Sequence, residues 1–111
     1  DEALKVLDAT TGGKADPVLV ELARLRAARL LAGMGKHEDA LKRLDAIGAS
    51  SFPAVAAEIR GDAEMALGRR DAARASYEKA LASLDIAAPT RPMVEMKLID
   101  AGGSPSAQPE I

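Results

Sequence analysis

The residues most able to do chemistry are few. His37 is the sole histidine and stands beside Glu38 and Asp39. A histidine next to carboxylates suggests a metal ligand or a general base. No second histidine and no cysteine exists to complete a metal set, which closes the usual nitrogen and sulfur routes to zinc. Glu58, Asp62 and Glu64 lie close together, and paired carboxylates can divide acid and base roles. The same spacing also describes an ordinary solvated helix face or a partner-binding patch. Ser50 and Ser51 have no base near them in sequence. The pairs Gly12-Gly13 and Gly102-Gly103 lack the surroundings of a phosphate-binding loop. Met65, Met93 and Met96 are soft side chains that suit either core filling or an adaptable binding surface. No nucleophile, base and orienting group can be nominated together, so the sequence predicts a non-catalytic protein with no cofactor and no metal.

The elements that position these residues are helical. Hydrophobic residues make up 48% of the 111, but aromatics only 2%, so Ala, Leu, Val, Ile and Met must build any core. The formal net charge of -2 comes from 15 basic and 17 acidic residues interleaved along the chain. Such a balance gives no electrostatic footing for nucleic acid. No apolar run reaches the roughly 20 residues that span a bilayer. No segment alternates as a strand does.

Periodicity predicts a short amphipathic helix near residues 2–9, then helices over 17–34, 38–47, 53–67, 71–84 and 92–100. Asp16-Pro17 is a start signal, with Asp as cap and Pro at the first helical position. The expected inward residues include Leu19, Leu22 and Leu30 in the first long helix, and Val55, Ile59 and Leu67 in the third. Met93, Met96, Leu98 and Ile99 are the apolar residues of the last. The tail 102–111 lacks core formers and is expected to be disordered.

Helical units repeat. Ala28 and Gly61, Gly35 and Gly68, Ala40 and Ala73, and Leu44 and Tyr77 are each separated by 33 residues. A period near 34 with two helices per unit is the tetratricopeptide signature. Small residues at Ala28 and Gly61 admit a close second helix, while Gly35 and Gly68 can end the first in a left-handed conformation. One pair cannot cover its own apolar face, so pairs must stack. The segment EALKVLDAT matches DALKRLDAI, which makes residues 1–10 the second helix of an earlier unit and the sequence a piece of a longer protein. The expected architecture is all-α: a domain over 1–101 with units at 17–47 and 53–84 and a capping helix at 92–100. In the second unit Arg60 and Glu64 occupy places that are usually apolar. They suggest either an i, i+4 salt bridge or a local rotation of the helix.

In such stacks the first helix of each pair lines a concave surface. The register puts Leu22, Leu25 and Arg29 there from one helix, and Val55, Glu58, Asp62 and Met65 from the next. Apolar anchors among charges suit a peptide or a helix of a partner protein. The chain's own missing repeats or its capping helix can cover some of them instead.

The stretches LARLRAARL, AAEIRGDAEMALGRRDAARASYEKAL and the closing VEMKL add specificity. Over residues 1–103 the chain resembles the periplasmic C-terminal domain of the ancillary SecYEG translocon subunit family. The resemblance implies one N-terminal transmembrane helix upstream and a domain on the periplasmic face of a Gram-negative inner membrane. It implies as partners the Sec translocon, a membrane-anchored periplasmic chaperone and exported client proteins. It transfers no catalytic residue. The alternatives are a scaffold in outer-membrane or envelope assembly, signalled by a lipoprotein leader, and an enzyme whose site lies upstream.

Overall fold

The computed structural model describes residues 16–104, together with Lys5. Within them lie five helices and no strand: α1 (Pro17–Gly33), α2 (His37–Ile47), α3 (Pro53–Ala66), α4 (Arg70–Ala82) and α5 (Arg91–Asp100). Apart from Lys5, the expected helix at 2–9, and with it the earlier unit at 1–10, lies outside the described residues, as does the tail from 105 onward.

Each boundary has a local cause. The Asp16 side chain accepts the Val18 N–H at 2.8 Å, and Pro17 follows at the first helical position, so α1 starts where the sequence indicates. α1 ends with the Gly35 N–H on the Ala32 carbonyl at 3.0 Å and the Lys36 N–H on the Leu31 carbonyl at 2.8 Å. α3 ends identically, through Gly68 to Met65 at 3.0 Å and Arg69 to Glu64 at 2.8 Å. α5 does the same, through Gly102 to Ile99 and Gly103 to Leu98, both at 2.9 Å. The three pivots Gly35, Gly68 and Gly102 have φ of 82°, 77° and 90°, the left-handed region that a helix-ending glycine supplies. Gly102 and Gly103 therefore complete a hydrogen-bonded cap, which corrects the expectation of a disordered tail from residue 102.

α1 packs on α2, α3 on α4, and α3 also lies against both α1 and α2. The first seam is apolar: Leu25, Ala28, Leu41, Leu44, Ile59 and Ala63 are all buried together. Each such leucine or isoleucine contributes about 1.5–3 kcal/mol by leaving water. A second core gathers Ala73, Tyr77, Ala80 and Leu81 of α4 with Val94 and Leu98 of α5. The close approach expected at Gly61 is present: a Cβ there would stand 2.5 Å from the Tyr77 ring.

Several sequence expectations change. Leu19 is 63% exposed rather than inward, and Val55 is exposed too. In α5 the buried apolar pair is Val94 and Leu98, whereas Met93, Met96 and Ile99 face solvent. Helical phase explains this: Val94 and Leu98 are four apart and share the side turned to α4.

Candidate functional site

The predicted groove draws on α1 and α3, which lie side by side. Leu22, Leu25 and Arg29 share one face of α1 at spacings of three and four. Val55, Glu58, Asp62 and Met65 occupy one face of α3, with Val55, Glu58 and Asp62 each 33 residues beyond its α1 counterpart. Arg29 and Val55 are exposed and Leu22 is half-buried. Leu25 is not available to a partner. It is 2% exposed and packs against Ile59 and Ala63 of α3. It belongs to the core because α3 covers that side of α1.

The acidic residues are engaged from within. Lys97 of α5 reaches back to Glu58 at 2.6 Å and Asp62 at 3.0 Å. The Tyr77 hydroxyl donates to Asp62 at 2.6 Å. Met65 packs against the core shared by α4 and α5. Burial of Lys97 alone would lower its pKa, but hydrogen bonds to Glu58 and Asp62 outweigh that and hold it above the ordinary value. Burial, reinforced by the bond to Asp62, pushes the Tyr77 phenol well above its usual range. Both groups stay protonated at neutral pH, so neither serves as a nucleophile or base.

Glu64 and Arg60 do not pair. Arg60 crosses to Asp45 of α2 at 2.5 Å, and Glu64 turns into the α3–α4 interface, where the Ser76 hydroxyl donates to it at 2.5 Å. Glu64 is buried because its place along α3 matches Leu31 of α1 and Leu98 of α5, all three accepting the helix-ending N–H. His37 is half-buried at the start of α2, and its Nδ1 is enclosed without a hydrogen-bond partner. A half-enclosed ring with no polar partner among the described residues serves packing in the turn between α1 and α2 rather than acid–base or metal chemistry. Among the described residues no group of three or more His, Asp or Glu side chains could hold a metal ion.

Sequence reasoning missed two residues. Lys97 stands 39 positions from Glu58, and no local periodicity links them. Arg91 is buried at the base of α5, donating to the Leu81 and Leu84 carbonyls at 3.2 and 3.1 Å and so capping the end of α4. The Thr90-Arg91-Pro92 run signals a helix start but gives no hint of that reach. At the other end, Glu21 gathers the Ser51 N–H at 2.9 Å and the Ser50 hydroxyl, tying α1 to the α2–α3 loop. The Ser50 hydroxyl is the main influence holding the Glu21 carboxyl below its ordinary pKa.

With this geometry in place, comparison with known proteins is informative. A model of the tetratricopeptide repeat-like domain matches residues 1–103. The ancillary SecYEG translocon subunit of Escherichia coli (strain K12) is 31% identical over 83 residues. That match covers 75% of this chain and 40% of the relative, so less than half of the relative is represented in the matched region. No solved structure matches. None of the described helices is long and apolar enough to cross a membrane.

Proposed function

Since this chain belongs to the tetratricopeptide repeat-like domain family, we propose that it is a non-catalytic scaffold gripping a segment of a partner protein between α1 and α3. Partner capture is carried by one observation. Two helices present equivalent residues at a constant offset, leaving Leu22, Arg29 and Val55 open beside a charge cluster already satisfied by Lys97. An occupant there gains apolar contact from Leu22 and Val55 and meets a cation at Arg29. A segment with small apolar anchors and an acidic flank fits that surface.

The finer reading rests on the relative named a SecYEG translocon subunit. In it, this chain is the periplasmic part of an inner-membrane-anchored subunit, works beside the Sec translocon and a membrane-anchored periplasmic chaperone, and assists exported proteins.

Site-specific photo-crosslinking tests both levels. Probes at Leu22 and Val55 should capture partner protein, while probes at Lys42 and Lys79 on the second helices should not. Equal yields at the two sets would sink the groove. Groove-specific capture that never includes a translocon component, its chaperone or an exported client would leave the scaffold standing and remove the export role.

A further inference from the structure

α1 and α3 are equivalent helices, but only α3 has its leading side covered. Phe52, Ala56, Ile59 and Ala63 form that side, packed with Leu25 and Ala28 of α1 and with Leu41 and Leu44 of α2. Ile59 is 2% exposed and Ala63 is fully enclosed. The same side of α1, 33 residues earlier, carries Leu19, Ala23, Arg26 and Leu30. Ala23 is buried, but Leu19 is 63% exposed, Arg26 is exposed and Leu30 is half-buried. A stack repeats its contacts from unit to unit, so this flank has the shape of a seat for a helix lying beside α1 as α1 lies beside α3. From Leu19 to Leu30 the seat runs about 16 Å, or three turns.

The charge of the seat differs from that of its counterpart. Arg26 stands where α3 has the core residue Ile59. Arg29 adds a second exposed cation one turn on. Arg60, Arg69 and Arg74 each hold a carboxylate, whereas neither Arg26 nor Arg29 holds one among the described residues. Glu21, the one acidic residue of α1, is engaged with Ser50 and Ser51. A permanently buried side needs an apolar residue at this centre, because an unpaired guanidinium is costly to enclose. An arginine between two leucines suits a reversible contact instead, in which a carboxylate from outside meets the charge.

We propose that the open flank of α1 is a docking seat for an amphipathic helix of a partner protein that carries a carboxylate opposite Arg26. Two apolar residues of the partner bracket that carboxylate, one about 10 Å away over Leu19 and one about 6 Å away over Leu30, at 1.5 Å per residue. On the partner, as on α1, these distances are seven residues and four, a spacing that puts all three side chains on one helix face. The seat uses no residue of α3, so it stands or falls apart from the α1–α3 groove.

The chain has no tryptophan, so the fluorescence of a single tryptophan on a helical peptide reports binding alone. The probe is an alanine- and glutamine-rich peptide of about 16 residues with two leucines and a glutamate at this spacing. Its control is the same peptide with lysine in place of the glutamate. The glutamate peptide should bind about fivefold more tightly. Arg26→Glu should reverse that preference, Arg26→Ile should flatten it, and Leu19→Asp should abolish binding. Leu19 and Arg26 are exposed, so these variants should keep the helical circular dichroism of the parent. Val55→Ser, in the groove, should change nothing. No binding of the glutamate peptide, equal binding of the two peptides, or a preference undiminished by Arg26→Ile overturns the proposal. So does loss of binding in Val55→Ser, which would put the peptide in the groove. A chain mass that doubles with concentration and shuts the peptide out would overturn it too, by giving the seat to a second copy.

Discussion

The α1–α2 seam and the α3–α4 seam occupy equivalent places one repeat apart, yet they are built from opposite materials. Leu25 in the first becomes Glu58 in the second, Leu31 becomes Glu64, and Leu44 becomes Tyr77. In the first unit these side chains are buried leucines that need only apolar neighbours. In the second each polar group has a specific partner: Glu58 with Lys97, Glu64 with Ser76, and Tyr77 with Asp62. Buried polar groups must be satisfied, and a satisfied network is directional where apolar packing is not. The second unit therefore dictates where α5 sits, while the first supplies non-directional cohesion.

Substitution at matched positions should separate the two seams. Leu31→Ala is expected to cost about 2–5 kcal/mol through lost burial and the cavity left behind. Glu64→Ala should cost less, about 1–3 kcal/mol, by orphaning the Ser76 hydroxyl. Chemical denaturation measures both, and equal losses would mean the polar seam carries as much stability as the apolar one. Gly61→Ala comes next, at about 1–3 kcal/mol from overpacking against the Tyr77 ring. A Tyr77→Leu background should absorb most of that loss, and no rescue would show that the ring is not the obstacle.

The smallest expected effect is one of pH, and it belongs to the second unit alone. Lys97 and Tyr77 both have raised pKa values in the folded chain. Their contribution is therefore complete below the unfolded values of 10.5 and 10.0, and is lost as pH climbs through the folded values above them. Stability should be flat from neutral pH to about 10 and fall beyond it, less steeply in Lys97→Met. An unchanged alkaline slope in that variant would remove Lys97 from the account.

Much of the fold could be read without coordinates. Asp16-Pro17 marks the start of α1, and the glycines at 35 and 68 mark two ends, because caps and terminators are local events governed by a few residues. The two-helix unit follows from the 33-residue echo for the same reason. The groove was only partly legible. Arg29 and Val55 are exposed and Leu22 is half-buried, while Leu25 lies in the core and Glu58 and Asp62 of α3 are held by Lys97 of α5. Position on a helix face tells which way a side chain points; it does not tell what has already arrived there.

By itself, the sequence determined that the chain is helical, that its helices pair and stack, and that the second unit carries charge where the first carries leucine. Only the tertiary structure decided that Arg60 leaves Glu64 for Asp45, that Lys97 closes on Glu58 and Asp62, and that α5 turns Val94 and Leu98 inward with its methionines outward. The reason is range. Caps and periodicity act within a few residues, whereas a buried charge is matched by whichever partner the packed helices bring within about 3 Å, however distant in sequence.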